Sequence, residues 1–429
     1  MKTIVFILAC LGILAMLGDL AFGTAVQEVG EEPREVQLLM WSGAQPFMDT
    51  LDKIKEAYEQ ETGRKLQIST LPWDEMYQKQ VTTLAAGDTT YDVIYLAPKW
   101  LTEFAEGGYL QSLDDKMDSE VEKALSAGSI EPCMRRGHLY ALPKSVSSRF
   151  FIYRNDLYRN AGIGSAPTYM EEMVDYGQKI QKLTDGETWG YLAGLRGNIG
   201  ALTFTIMLNL AAGKMWDDEG YPAFVSPEGI RAVTFMSDLV NKYKITPPAA
   251  IGWSSSRFIG NTYNSGEGAQ MIEMPEKYNW ANDPELSDVV GKSSISINPG
   301  FKGSGRRSAS RAAYESIAIP SSSNNQEAAW HFIKWFATAK TPNKYWIEYG
   351  YPPLATSVLN DPTIQKDIPW LNAFKEQITY PCETWEHVSD FSHRRDIIME
   401  EIEAVLSQAK TPQEALEAAS ERIKEEVMQ

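Results

Sequence analysis

Between Arg34 and Leu113 the chain switches repeatedly between continuous apolar runs and apolar residues at helical spacing, and each switch predicts an element. VQLLMW (36–41), LQISTL (66–71) and YDVIYL (91–96) read as strands buried on both faces. Pro46 opens a helix that carries Phe47, Leu51, Ile54 and Tyr58 on one face and stops at Gly63. Asp74 is placed to cap a second helix bearing Tyr77, Val81 and Leu84, closed by Gly87. Pro98 starts a third, with Leu101 and Phe104, ended by Gly107. Parallel neighbours need crossover helices, so three β-α units in succession predict a doubly wound, mostly parallel sheet.

LYAL (139–142) and RFFIY (149–153) are strands outside that rhythm and carry the chain out of the first lobe. From Thr168 the alternation resumes, with helices predicted near 170–183, 199–212 and 228–243. The last has Ser226 as its cap, Pro227 at its first position and Ile230, Val233, Val240 and Tyr243 as its buried stripe. A second α/β lobe follows from this pattern. NPGFKGSGRRSASR (298–311) is a loop leading into the strand YESIAIP, followed by a helix at 326–339 with Trp330, Ile333 and Ala337 on one face. Thr411 to Glu414 form a capping box before a helix with Leu416, Ala419 and Ile423.

A length of 429 residues and an apolar fraction of 43% suit two domains with substantial cores. The formal charge of −17, from 40 Lys+Arg against 57 Asp+Glu, repels phosphate backbones and argues against nucleic-acid binding. Residues 1–23, with Lys2 ahead of an apolar run and small residues near Gly23, predict a signal peptide and export. A membrane anchor is the alternative, although the apolar run is short of the roughly 20 residues a span needs. Ile7 to Cys10 resembles a lipoprotein cleavage box, so lipid anchoring at Cys10 is a further alternative. Past the signal only Cys133 and Cys382 remain; they can pair as a disulfide or stand as two independent buried thiols.

Open doubly wound sheets bind ligands beyond the carboxyl ends of their strands. All three such ends in the first lobe carry tryptophan: Trp41, Trp73 and Trp100. A pyranose offers apolar faces for indole stacking and a rim of hydroxyls for polar groups, so Lys99 beside Trp100 is a candidate donor. Ordinary core packing is the competing account of each tryptophan, and a solvated position the competing account of Lys99. From the second lobe, Trp253, Glu273, Glu276 and Tyr278 are candidates for the opposing wall, with exposed helix charges as the alternative for Glu276 and Lys277.

Four blocks in order carry a family resemblance: YDVIYLAPKWLTEFAEGGYLQSLDD (91–115), GHLYALPKSVSSRFFIYRNDLYRNAGI (137–163), NSGEGAQMIEMP (264–275) and IAIPSSSNNQEAAWHFIKWFAT (317–338), followed by YGYPPLATSVLNDP (349–362). Together they resemble the bacterial extracellular solute-binding proteins of ABC importers, in the carbohydrate cluster that includes the maltose/maltodextrin-binding type. The resemblance implies a two-lobed periplasmic-binding-protein-like α/β fold, each lobe a doubly wound, mostly parallel sheet, joined by a hinge near 143–149, 306–313 and 355–360. It implies a first lobe from 34–147 plus 310–357 and a second from 148–309 plus 358–429. Carried over by position, it points to Trp41, Trp73, Lys99, Trp100, Ser147, Glu276, Tyr314 and Glu315, with Trp385 near the C-terminal helical region. Ser147 stands where the maltodextrin type has an acidic residue and Glu315 where many relatives have an aromatic one, so the implied sugar need not be a maltodextrin.

The expected function is capture of a sugar or oligosaccharide by hinge closure and delivery to an ABC permease, by a monomer without cofactor, metal or catalysis, in the periplasm or at a lipid-anchored cell surface. Two alternatives stay open. One is an exported carbohydrate-active enzyme using Glu273 and Glu315, which needs carboxyl groups about 5–9.5 Å apart. The other is a receptor for a polyamine or a phosphorylated polyol. HExxH, GxSxG and P-loop motifs are missing, and the four histidines, His138, His331, His387 and His393, have no metal-site spacing.

Overall fold

The structure is a computed structural model that describes residues 34–381, 388 and 390–428. The predicted signal segment with Cys10, and also Cys382 and Trp385, lie outside the described residues. Two sheets organise the chain. The first is built from β1 (Val36–Trp41), β2 (Leu66–Leu71), β3 (Val93–Leu96), β4 (Ala141–Ser147) and, much later, β8 (Ala313–Ala318), in the order β2-β1-β3-β8-β4. The second contains β5 (Phe150–Arg154), β6 (Gln270–Glu273) and β7 (Ser293–Ser296), in the order β6-β5-β7.

β1 pairs in parallel with β2 and with β3, as the β-α units predict. The helix Gln45–Thr62 ends at Gly63 with φ of 70°, a left-handed position that glycine takes without steric cost. The next helix begins at Trp73, so Asp74 is already inside it and Pro72 occupies the cap position. β8 runs antiparallel to both β3 and β4, because it returns from the other lobe rather than through a crossover helix. In the second sheet both named pairings are antiparallel, and parallel contacts are confined to isolated bridges such as Leu192 with Met271. Parallel pairing therefore dominates only where the strand-helix alternation is uninterrupted.

Each sheet has its own core. Val36, Leu38, Phe47, Ile54, Tyr95 and Phe104 are packed with Phe332, Phe336 and Trp346 from the returning chain. Phe151, Met173, Phe204 and Val233 are packed with Ile398, Ile402 and Leu416 from the C-terminal helices Phe391–Leu406 and Pro412–Glu426. Ser226 caps the helix Pro227–Asn241 through Gly229 N–H at 3.1 Å, and Thr411 with Glu414 closes the predicted capping box. Cys133 is a free, fully buried thiol in the first core, and burial pushes its pKa up to about 12.

Segments at or beside the three expected crossings between the lobes, 146–149, 298–310 and 350–352, are bonded to one another. Arg149, in the β4-β5 passage, accepts at its carbonyl from Asn298 Nδ2 at 2.9 Å and from Ser310 Oγ at 2.8 Å. Val146 N–H donates to the Pro352 carbonyl of the third passage at 3.0 Å. There Gly350, at φ of 112°, lies so close to Glu276 that an added Cβ would come within 2.4 Å of its backbone.

Candidate functional site

Beyond the carboxyl ends of β2 and β3 a cavity of about 140 Å³ opens. Trp73, Tyr95, Lys99 and Glu315 come to it from the first lobe, Asn198 and Leu202 from the second, and Ser147, Arg149 and Arg311 from the chain between. One wall is aromatic. Trp41 stacks on Phe47 at 3.8 Å and meets Trp73 edge-on at 6.4 Å; Trp73 lies 5.1 Å from Trp100, which in turn stacks on Tyr77 at 5.1 Å. Trp73 is 37% exposed and Trp100 only 4%, so Trp73 presents the open face while Trp100 braces it from behind. Lys99 Nζ sits 5.8 Å from the Trp73 ring and 5.6 Å from Phe391 of the second lobe, within cation–π range of both.

The floor is charged and buried. Lys144 Nζ donates to Glu315 Oε2 at 2.9 Å, and Arg149 Nε donates to Glu273 Oε2 at 3.3 Å. Ser147 Oγ, also buried, accepts from Arg311 Nη1 at 3.3 Å. Glu276 is buried as well, 3.5 Å from Lys277 Nζ, and its Oε2 has no partner among the described residues. Burial raises the Glu276 pKa above the carboxylate range; Lys277 opposes the shift and Glu273 adds to it. Each carboxylate of the proposed Glu273–Glu315 pair is thus held by its own cation. Among the described residues no group of three or more His, Cys, Asp or Glu side chains converges as a metal site would.

The family of bacterial extracellular solute-binding proteins matches residues 44–341. The chain belongs to that family. The arabinooligosaccharide-binding protein of Bacillus subtilis is 23% identical to it over 97% of this chain and 98% of its own length. A putative binding protein of Brucella abortus is 23% identical over 80% of each. Maltose-bound MalE3 of T. maritima superposes with a TM-score of 0.81 at 24% identity, covering 91% of this chain and 99% of its own, which establishes the two-lobed fold. The family is one of exported proteins, and among the described residues no helix is long and apolar enough to cross a membrane.

In this solute-binding protein the residues singled out from the chain do not all reach one place. Trp73, Lys99, Ser147 and Glu315 line the cavity, Trp41 and Trp100 stand behind Trp73, and Glu273 is joined to the cavity through Arg149. Glu276 and Lys277 are buried charges, not a solvated helix face, and Lys277 Nζ lies 3.6 Å from the Trp280 ring. Tyr314 alternates with Ala313 and Glu315 along β8 and packs against the Val146–Trp370 cluster instead of lining the cavity. Tyr278 is half-buried beside that same cluster. Trp253 stacks on the exposed Phe258 at 6.2 Å, its carbonyl accepting from Arg196 N–H near Asn198. Reasoning along the chain did not single out Lys144, Arg149, Asn198 or Arg311. For Lys144 and Arg149 a signal existed: a charge inside or beside an otherwise apolar or small-residue strand is retained when a buried partner waits for it.

Proposed function

We propose that this protein is the solute receptor of an ABC importer, capturing a sugar or oligosaccharide between its lobes and passing it to a membrane permease without altering it. The observation that carries this reading is one cavity lined by an indole platform, Trp73, and by hydrogen-bonding groups, Glu315, Arg311 and Ser147. Stacking suits the apolar face of a sugar ring, and the polar groups suit its hydroxyl rim. The arabinooligosaccharide- and maltose-binding relatives support the same ligand class. Binding groups contributed by both lobes favour the closed form in proportion to the contacts made only there, and the closed form is what the permease would engage. The protein acts as an exported monomer, in the periplasm or anchored by lipid at Cys10.

A thermal-shift screen of pure protein against arabinotriose, maltotriose, D-mannitol, sn-glycerol 3-phosphate and spermidine tests this. A sugar at about 100 times its dissociation constant adds roughly 2.7 kcal/mol of stability, a readily measured rise in midpoint. A rise with spermidine or the phosphate alone would overturn the carbohydrate assignment. Recovery of cleaved instead of intact maltotriose would overturn the receptor assignment.

A further inference from the structure

The Lys144 side chain is wholly buried in β4. Its ammonium spends two donors on oxygens, Ser145 Oγ and Glu315 Oε2, both at 2.9 Å. The rest of its surface faces rings: Trp346 of the helix Lys340–Tyr349 at 4.4 Å, Tyr351 just past the end of that helix at 5.1 Å, and Tyr95 of β3 at 5.6 Å. Burying an ammonium this completely is costly unless a carboxylate and aromatic faces compensate it. Burial indeed lowers the Lys144 pKa, with Glu315 opposing the shift. Only Oε2 of Glu315 is engaged; Oε1 accepts nothing among the described residues, and the side chain, 12% exposed, forms part of the cavity wall.

We infer that Lys144 is a positioning residue for solute binding: it pins Glu315 so that one carboxylate oxygen is presented to a solute hydroxyl, and its aromatic cage ties that acceptor to the chain around Trp346 and Tyr351. This rests on the reading of the cavity as the solute site. The arrangement differs from a purely structural ion pair in a measurable way. If Lys144 serves the solute through Glu315, loss of either residue removes the same contact, so their effects on affinity do not add.

The test is calorimetric titration of maltotriose and D-mannitol into wild type, Lys144→Met, Glu315→Gln and the double variant, with thermal midpoints measured in parallel. Lys144→Met leaves a carboxylate uncompensated, which lowers the yield of folded protein; the double variant removes both charges and keeps a folded sample available. Each variant is expected to weaken binding of whichever probe wild type binds by about tenfold or more, the double no more than the worse single. Unchanged affinity in the double variant, or losses that multiply, would overturn the inference while leaving the receptor reading intact. Wild type that binds neither these probes nor arabinotriose would overturn both.

Discussion

The aromatic wall and the charged floor of the cavity are built by opposite means. The wall is local: Trp73, Tyr77, Lys99 and Trp100 belong to two neighbouring helices that follow β2 and β3, and each is placed by the strand that precedes it. The floor is assembled across the whole chain, Arg149 meeting Glu273 over 124 residues and Lys144 meeting Glu315 over 171. In a wall of this kind each ring is lost by itself, whereas the floor is a set of paired charges in which removing one partner strands the other.

That contrast is most exposed at Arg149. Its pair with Glu273 is 8% and 2% exposed, and Arg149→Met is expected to cost about 3–5 kcal/mol in urea unfolding. Replacing both residues with apolar ones is expected to recover most of that loss; if it does not, the floor is held by something other than charge pairing. On the wall the two neighbouring indoles should separate stability from binding. Trp100→Ala removes a buried ring and is expected to lower stability by about 3–5 kcal/mol. Trp73→Ala, at the half-open face, should leave the unfolding midpoint nearly unchanged while weakening sugar binding several-fold, to about tenfold. Equal effects of the two changes on affinity would erase the distinction between platform and brace.

The smallest effect concerns Glu276. Its pKa in the folded protein is raised above 4.5, chiefly by burial, so the folded state holds the proton more tightly than the unfolded chain. The stability this contributes is complete below the unfolded value and is lost as pH rises through the folded one. Glu276→Gln should therefore raise the midpoint at pH 7 more than at pH 4, in the absence of solute. A uniform shift at both values would show that the carboxyl ionises without cost.

The same division explains what could be read from the chain. β1 and β2 occupy the predicted limits, and the helix Met170–Leu183 the predicted span, because apolar periodicity and terminal signals are local. The three tryptophans were legible as a group for that reason: each lies at or just after the end of a strand. Tyr314 was carried by likeness of position, but the two-residue alternation of β8 turns it away from Glu315, and this depends on which face of the strand meets the passages. Lys144 and Arg149 stayed hidden because their partners lie more than a hundred residues on, and spacing along a chain says nothing about such encounters.

One consequence follows from the strand order of the first sheet. β8 is an interior strand, seated between β3 and β4, yet it is the last of the five to be synthesised. Until it arrives, the facing edges of its two neighbours have nothing to bond, and the lobe cannot close. Contacts of such high sequence separation make folding slow. For a polypeptide that must thread a translocation channel before it matures, delay is an advantage: the architecture itself postpones the native state until nearly three-quarters of the chain has emerged.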